Sequence, residues 1–122
     1  MIQVVASSPA TVGCLTGILS KAGHAVRVDS YTFIATSYLS GRQLVILINS
    51  KGVRLEEICN MCSLIRTSAP NLPILVVGPD DTDAKVRLFE LGADDYVVKP
   101  FDHQEFLARI RSLIRRLQSG FS

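Results

Sequence analysis

The stretch Leu44-Val-Ile-Leu-Ile48 contains five consecutive aliphatic residues and no polar one. A strand with one face in water alternates apolar and polar residues, because successive side chains point to opposite faces. A strand that is apolar throughout is covered on both faces, as occurs in parallel sheets flanked by helices. The stretch therefore predicts a central strand of an α/β domain.

Short apolar runs alternate with amphipathic stretches on both sides of this strand. The predicted strands are 2–6, 24–28, 44–48, 74–77 and 95–98. The predicted helices are 9–22, 30–39, 53–68, 82–91 and 102–117, the first with Ser8 as its cap and Pro9 in its first turn. Five strands that alternate with five helices across short loops require parallel crossovers and a doubly wound sheet. We predict one domain over 1–118, with 119–122 as the start of a linker or tail.

The composition excludes several classes of protein. The 122 residues carry 13 Lys and Arg against 11 Asp and Glu, and 48% of them are apolar, which suits one domain with its own core. A net charge of +2 is too small to indicate nucleic-acid binding, and no apolar run approaches the ~20 residues of a membrane span. The acids are unevenly placed, since only Asp29 lies in the first 55 residues while eight fall between Asp80 and Glu105.

Cys59 and Cys62 have the spacing of a redox or zinc pair. They lie in a predicted helix whose apolar stripe, at 55, 58, 62 and 65, includes Cys62, so packing is the favoured interpretation of that residue. Packing is also the favoured interpretation of Cys59, with an exposed side of the helix as its alternative, and a thiol switch stays open. The two histidines lack ligand spacing to this pair, so we predict no metal site, and a reducing cytoplasmic setting is the default.

Two segments, Gly92-Ala-Asp-Asp-Tyr-Val-Val-Lys-Pro-Phe101 and Glu105-Phe-Leu-Ala-Arg-Ile-Arg111, closely resemble the receiver domain of bacterial two-component response regulators. The resemblance is to the winged-helix transcription factor branch, the OmpR/PhoB type. It implies a flavodoxin-like five-stranded sheet with strand order 2-1-3-4-5. It also implies the regulatory domain of a cytoplasmic transcription regulator, whose DNA-binding domain is absent from this chain.

The resemblance also shows what the phosphorylation pocket lacks. Receivers hold Mg²⁺ with two acids after the first strand and phosphorylate an aspartate that ends the third, with a hydroxyl ending the fourth strand and a lysine ending the fifth. The corresponding residues here are Ala6, Ser7, Ile48 (Asn49 if the register shifts by one), Gly78 and Lys99. Hydroxyls and an amide do not replace the carboxylates that a hard dication requires. We therefore predict a degenerate pocket with no catalytic residue, no metal and no cofactor.

Two residues of the motif keep alternative interpretations. Lys99 either retains a role in the pocket, with hydrogen bonds to loop carbonyls, Asn49 or Ser7, or is a solvated lysine at the end of a strand. Tyr96 matches the family's switch aromatic, which turns inward on phosphorylation. Without a hydroxyl at Gly78, Tyr96 is either held in one rotamer or still able to switch.

A dimer surface is the second feature that the resemblance implies. Active receivers of this branch pair through their fourth helix, fifth strand and fifth helix. The matching residues here are Lys85, Val86, Arg87, Phe89, Glu90, Asp94, Asp95, Glu105, Ala108, Arg109, Arg111 and Arg116. Their charges complement one another across a two-fold axis as Lys85–Glu105, Glu90–Arg111, Asp95–Arg109 and Asp94–Arg116, as an isologous dimer requires. Val86, Phe89 and Ala108 supply an apolar centre.

The alternative interpretation of these charges is an ordinary solvated helix surface. The sequence therefore favours a phosphorylation-independent, homodimeric receiver domain without enzymatic activity. The second hypothesis is a stand-alone adaptor that binds another protein or a small effector. Unorthodox phosphotransfer or hydrolysis at Lys99 is the third.

Overall fold

The computed structural model describes residues 1–7, 12–31, 39–50 and 52–119. The side chains of residues 117–119 are not included in this description. Its strands are β1 Ile2–Val5, β2 Val26–Asp29, β3 Leu44–Ile48, β4 Ile74–Gly78 and β5 Asp95–Val98. Its helices are α1 Gly13–Lys21, α2 Leu55–Ser68, α3 Thr82–Glu90 and α4 His103–Ser119. The predicted helix at 30–39 falls largely outside the described residues. Ser8 and Pro9, the predicted start of the first helix, also lie outside them. The predicted fourth and fifth helices are therefore α3 and α4.

All five strands run parallel in the order β2-β1-β3-β4-β5. Both the doubly wound sheet and its strand order are confirmed. β3 pairs with β1 through Ile2 and Leu44 and with β4 through Val45 and Ile74, so it is the central strand. All five of its residues are buried, as its unbroken apolar sequence predicts.

The core consists of two layers, one on each face of the sheet. Residues 44, 46 and 48 of β3 face one layer, in which Phe106 and Ile110 of α4 and Leu19 of α1 are also buried. Residues 45 and 47 face the other layer, which contains Ile58 of α2 and Leu88 of α3. The alternation of strand side chains thus serves both layers from a single apolar run.

The second strand begins two residues later than predicted. Gly23 adopts a left-handed conformation after α1, and the amide of His24 donates to the carbonyl of Leu19. These contacts close the helix end, so the chain joins the sheet only at Val26.

Arg66 of α2 fastens the sheet at the edge where β4 and β5 begin. Its guanidinium donates to the carbonyls of Pro70, Leu72 and Gly92 and to the carboxylate of Asp94, the last at 2.9 Å. The same Asp94 oxygen accepts from the amide of Ile74 at 2.8 Å. The partly buried Arg66 side chain therefore holds together the end of α2, the start of β4 and the turn before β5.

This arrangement requires glycine at position 92. Gly92 has φ +111°, and a Cβ there would lie 2.8 Å from Arg66 Nε. We predict that Gly92→Ala lowers the free energy of unfolding by about 2 kcal/mol or more, because it combines backbone strain with a steric clash. Urea denaturation monitored by circular dichroism measures this change.

Gly17→Ala is the matched control for that prediction. Gly17 lies at an exposed position of α1 and has no positive φ. A Cβ built there would have no heavy atom within 4 Å. The control should leave stability unchanged or raise it slightly, since alanine favours a helix. Equal effects of the two substitutions would contradict the assigned role of Gly92.

Candidate functional site

The residues of the predicted pocket meet at the carboxyl edge of the sheet. Parallel strands end at the same edge, so the loops after β1, β3, β4 and β5 lie side by side there. Ser7 Oγ, after β1, is 3.4 Å from Ser50 Oγ, after β3. Ala6 and Ile48 are each only 2% exposed and pack into the core layer of α1 and α4. Two of the positions that carry chemistry in receivers are therefore core residues here.

Asn49 is the first polar residue after β3. Its amide donates to the carbonyl of Val77 at 2.8 Å, which continues the β3–β4 ladder by one residue. Ile48 is the last residue of β3 and Asn49 follows it, and the match of the phosphoacceptor position to Ile48 or Asn49 stays a prediction. An isoleucine side chain has no oxygen to accept a phosphoryl group.

The carboxylates that follow β4 are bound elsewhere. Asp80 forms an ion pair with Lys85 at 2.7 Å, and Asp81 caps α3 by accepting from the amide of Ala84 at 3.2 Å. Within the described ranges, no three His, Cys, Asp or Glu side chains are grouped as metal ligands would be. Besides these engaged carboxylates, the described residues of the pocket edge thus offer the hydroxyls of Ser7 and Ser50, the Asn49 amide and Lys99.

Lys99 is exposed, and the peptide bond that joins it to Pro100 is cis. Its backbone amide donates to the carbonyl of Gly78 at 2.8 Å, which extends the β4–β5 pairing. Among the residues that the structure describes, its ammonium makes no hydrogen bond or ion pair. This geometry favours the solvated interpretation over the expected hydrogen bonds to Ser7 or Asn49, because no negative charge draws the ammonium inward.

Tyr96 points into the pocket. Its side chain is buried, with 7% of the residue exposed, and its hydroxyl donates to the carbonyl of Pro79 at 2.7 Å. Burial raises the pKa of the Tyr96 phenol, while the Asn49 side chain beside it opposes that rise. A neutral phenol is the form that can donate this hydrogen bond, so its raised pKa is consistent with the inward position.

Sequence reasoning missed a second tyrosine at the same edge. The Tyr31 hydroxyl, in the loop after β2, donates to the carbonyl of Ile48 at 3.0 Å. Burial raises the pKa of this phenol well above its usual range. Tyr31 follows a predicted strand end by three residues, and that placement was the available signal for a position near the pocket.

Both helix cysteines belong to the core layer between the sheet and α2. Cys62 is fully buried, and burial raises the pKa of its thiol to about 11. Cys59 is 5% exposed, so packing is confirmed for it as well and the alternative of an exposed side is wrong. The reason is that α2 lies deep against β4 and α3, which buries a wider stripe than the 55/58/62/65 spacing predicts.

The predicted dimer surface consists of α3, β5 and α4, and we call it the α3–β5–α4 surface. Val86 and Phe89 of α3 are 49% and 47% exposed, which is high for large apolar side chains. Ala108 is exposed on α4. An exposed pair of this kind on adjacent helical turns is a candidate contact for a partner.

The charges of this surface form several contacts within one chain. Arg109 donates to both carboxylate oxygens of Asp95 at 3.0 and 2.9 Å and also pairs with Glu105 at 2.9 Å. These acceptors raise the pKa of the Arg109 guanidinium, with Asp95 as the largest cause. Asp94 lies 3.7 Å from Arg116 in addition to its contact with Arg66.

These intrachain pairs change what the surface can offer to a partner. Two of the four predicted cross-axis pairs, Asp95–Arg109 and Asp94–Arg116, join residues that already contact each other in the monomer. Arg87, Glu90 and Arg111 are exposed and have no hydrogen-bond or ion-pair partner within the described part of the chain. Pairing across a two-fold axis stays a prediction, and Glu90–Arg111 is its best-placed pair.

Comparison with solved structures shows the same fold elsewhere. The receiver domain of NtrX from Brucella abortus superposes with a TM-score of 0.81 and 23% identity, covering 94% of this chain and 98% of that one. A putative response regulator from Chloroflexus aurantiacus J-10-fl gives a TM-score of 0.79 and 28% identity, with the same two coverages of 94% and 98%.

Curated relatives match the chain over a shorter segment. Transcriptional regulatory protein PcoR of Escherichia coli is 47% identical over 58 residues, which are 47% of this chain and 26% of that protein. Response regulator ArlR of Staphylococcus saprophyticus is 46% identical over 56 residues, with 46% and 26% coverage. The matched segments thus span about a quarter of these relatives' own length.

No described helix is long and apolar enough to cross a membrane. The family of response regulator receiver domains matches residues 4–111, which is most of the sequence. The parallel sheet in the order 2-1-3-4-5 agrees with that match. The chain therefore belongs to the response regulator receiver domain family.

Proposed function

We propose that this chain is a receiver domain that works without phosphorylation and forms homodimers through the α3–β5–α4 surface. It regulates a cytoplasmic transcription factor whose DNA-binding domain is not part of this chain. The observation that carries the proposal is the pocket edge, where Ala6, Ser7, Ile48 and Asn49 stand in place of carboxylates.

The chemistry of acyl phosphate formation supports the first half of the proposal. Phosphoryl transfer to an aspartate needs a carboxylate nucleophile and a dication that spreads the charge of the transferred group. The Ile48 side chain has no polar atom and packs in the core. Among the described residues of the pocket edge, Lys99 supplies a positive charge, and it is exposed to solvent.

The relatives support a role in transcription. PcoR is named a transcriptional regulatory protein and ArlR a response regulator, and the segment of this chain that matches each covers 26% of its length. A receiver in such a protein forms one part of a longer chain. A phosphorylation-independent receiver in that setting would act through assembly, which brings two DNA-binding domains together.

The exposed apolar residues support the dimer. Val86 and Phe89 keep about half of their surface in water, and Ala108 is exposed on α4. Burying apolar surface contributes about 25 cal/mol per Å², so these residues would supply the affinity. Exposed ion pairs contribute only ~0–1 kcal/mol each and would mainly set the orientation of the two chains.

The first test addresses phosphorylation. We predict that acetyl phosphate with Mg²⁺ produces no phosphorylated species by intact mass spectrometry, and that beryllofluoride with Mg²⁺ leaves the amide NMR spectrum unchanged. The reason is that no carboxylate at the pocket edge can hold the metal or accept the phosphoryl group. Saturable shifts of the amides near Asn49 would overturn this half of the proposal.

The second test addresses the dimer. We predict that sedimentation velocity without any phosphodonor shows a dimer, and that Glu90→Arg weakens it at least about tenfold by placing like charges opposite each other. Arg111→Glu should weaken it similarly, and the double exchange should restore most of the affinity. Glu90 and Arg111 suit this test because neither is tied to a partner in the described monomer.

Lys21→Glu on α1 is the matched control, because it reverses an exposed helix charge at a residue that is not part of the predicted dimer surface. It should leave the dimer dissociation constant unchanged. A protein that stays monomeric at high concentration would contradict the dimer and favour the adaptor hypothesis.

A further inference from the structure

The space above Gly78 is the tightest place in the pocket. A Cβ built at this glycine would lie 2.6 Å from the Tyr96 hydroxyl and 2.8 Å from Asn49 Cβ. Real Cβ atoms essentially never approach other heavy atoms so closely. The backbone of Gly78 has no positive φ, so conformational freedom is not what requires glycine there. What requires it is the volume that the Tyr96 side chain occupies.

Two contacts hold Tyr96 in that volume, and an ion pair positions one of them. Its hydroxyl donates to the carbonyl of Pro79, the residue directly after Gly78. The ammonium of Lys85 lies 5.8 Å from the centre of the phenol ring, within the range of a cation–π contact. Asp80 holds that ammonium at 2.7 Å, so the cation above the ring is itself fixed in place.

The same contacts extend to the α3–β5–α4 surface. Lys85 belongs to α3, directly before Val86 and one turn before Phe89. Tyr96 follows Asp95 in β5, and Asp95 holds Arg109 of α4 through both carboxylate oxygens. The position of the Tyr96 ring therefore bears on all three elements of the surface.

We infer that the missing side chain at Gly78 keeps Tyr96 inside the pocket without any external signal. The inward Tyr96 then fixes the α3–β5–α4 surface in the one arrangement that binds its partner. Any side chain at position 78 competes with the phenol for one space. The absence of a side chain thus replaces an external trigger, and the surface depends on packing alone. This inference rests on the proposed dimer for its consequence, but the position of Tyr96 can be tested without it.

The experiment compares Gly78→Ala with Gly17→Ala in the intact chain. We expect Gly78→Ala to shift the ring signals of Tyr96 in a tyrosine-labelled NMR spectrum, to lower the urea midpoint, and to raise the dimer dissociation constant about tenfold. Gly17→Ala adds the same methyl group in open space and should change neither the ring signals nor the dimer.

The Tyr96→Phe substitution separates the phenol from the other close contact. It removes the oxygen that lies 2.6 Å from the built Cβ and leaves Asn49 Cβ in place. In the Tyr96→Phe background, the decrease in urea midpoint caused by Gly78→Ala should therefore be less than half of the decrease in the native background. The difference between the two decreases measures the coupling between the two residues. If the single Gly78→Ala variant does not fold, a folded Tyr96→Phe/Gly78→Ala double variant supports the steric role, and a double variant that also fails to fold contradicts it.

The outcomes distinguish the two proposals. Unchanged Tyr96 signals in Gly78→Ala, or an equal loss of urea midpoint in both backgrounds, would overturn the role of Gly78 whatever the oligomeric state. A monomeric native protein whose Tyr96 signals shift as expected would overturn the dimer and keep the steric role of Gly78. A dimer that stays unchanged while Tyr96 moves would refute the link from Gly78 to the surface.

Discussion

The exclusion between the Tyr96 phenol and any side chain at position 78 is the constraint on which the pocket depends. The phenol oxygen of Tyr96 would lie 2.6 Å from a Cβ built at position 78, which is too close for both atoms to be present. Either position 78 is glycine, or the Tyr96 side chain adopts another position. With glycine present, the ring is enclosed by β4, the Pro79 carbonyl and the Lys85–Asp80 pair. The pocket is therefore filled from within by one of its own side chains.

That constraint agrees with the distribution of charge along the chain. The first 55 residues carry a single acid, Asp29, and its carboxylate accepts from Gln3 and Arg27 at 2.8 Å in the β1–β2 region. The loops after β1 and β3 come from this acid-poor part, which is why these two loops lack carboxylates. Several acids of the second half cap helices or pair with cations instead, among them Asp81, Asp102 and Asp95. The near-neutral total conceals this division.

Sequence patterns predicted the architecture because it depends on periodicity and apolar runs. The bounds of β3 and β5 agree with their predictions, and the pocket positions follow from where those strands end. Two kinds of feature could not be predicted. The Tyr96 rotamer depends on free volume in three dimensions, and the Arg66–Asp94 contact joins residues 28 positions apart whose geometry is set only by the packed helices. Charge complementarity alone likewise did not show that Arg109 meets Asp95 within one chain.

The intrachain pairs also bear on how the surface can select a partner. Arg109 already spans Asp95 and Glu105, and Asp94 is bound by Arg66 and the amide of Ile74. Exchanging such a contact for an equivalent one across an interface gains little, since the same ions pair before and after association. Net attraction must therefore come from groups that are unpaired in the described monomer, such as Glu90 and Arg111, and from the exposed apolar area of Val86 and Phe89. The paired charges instead fix α4 against β5, and a rigid surface loses less entropy when it binds.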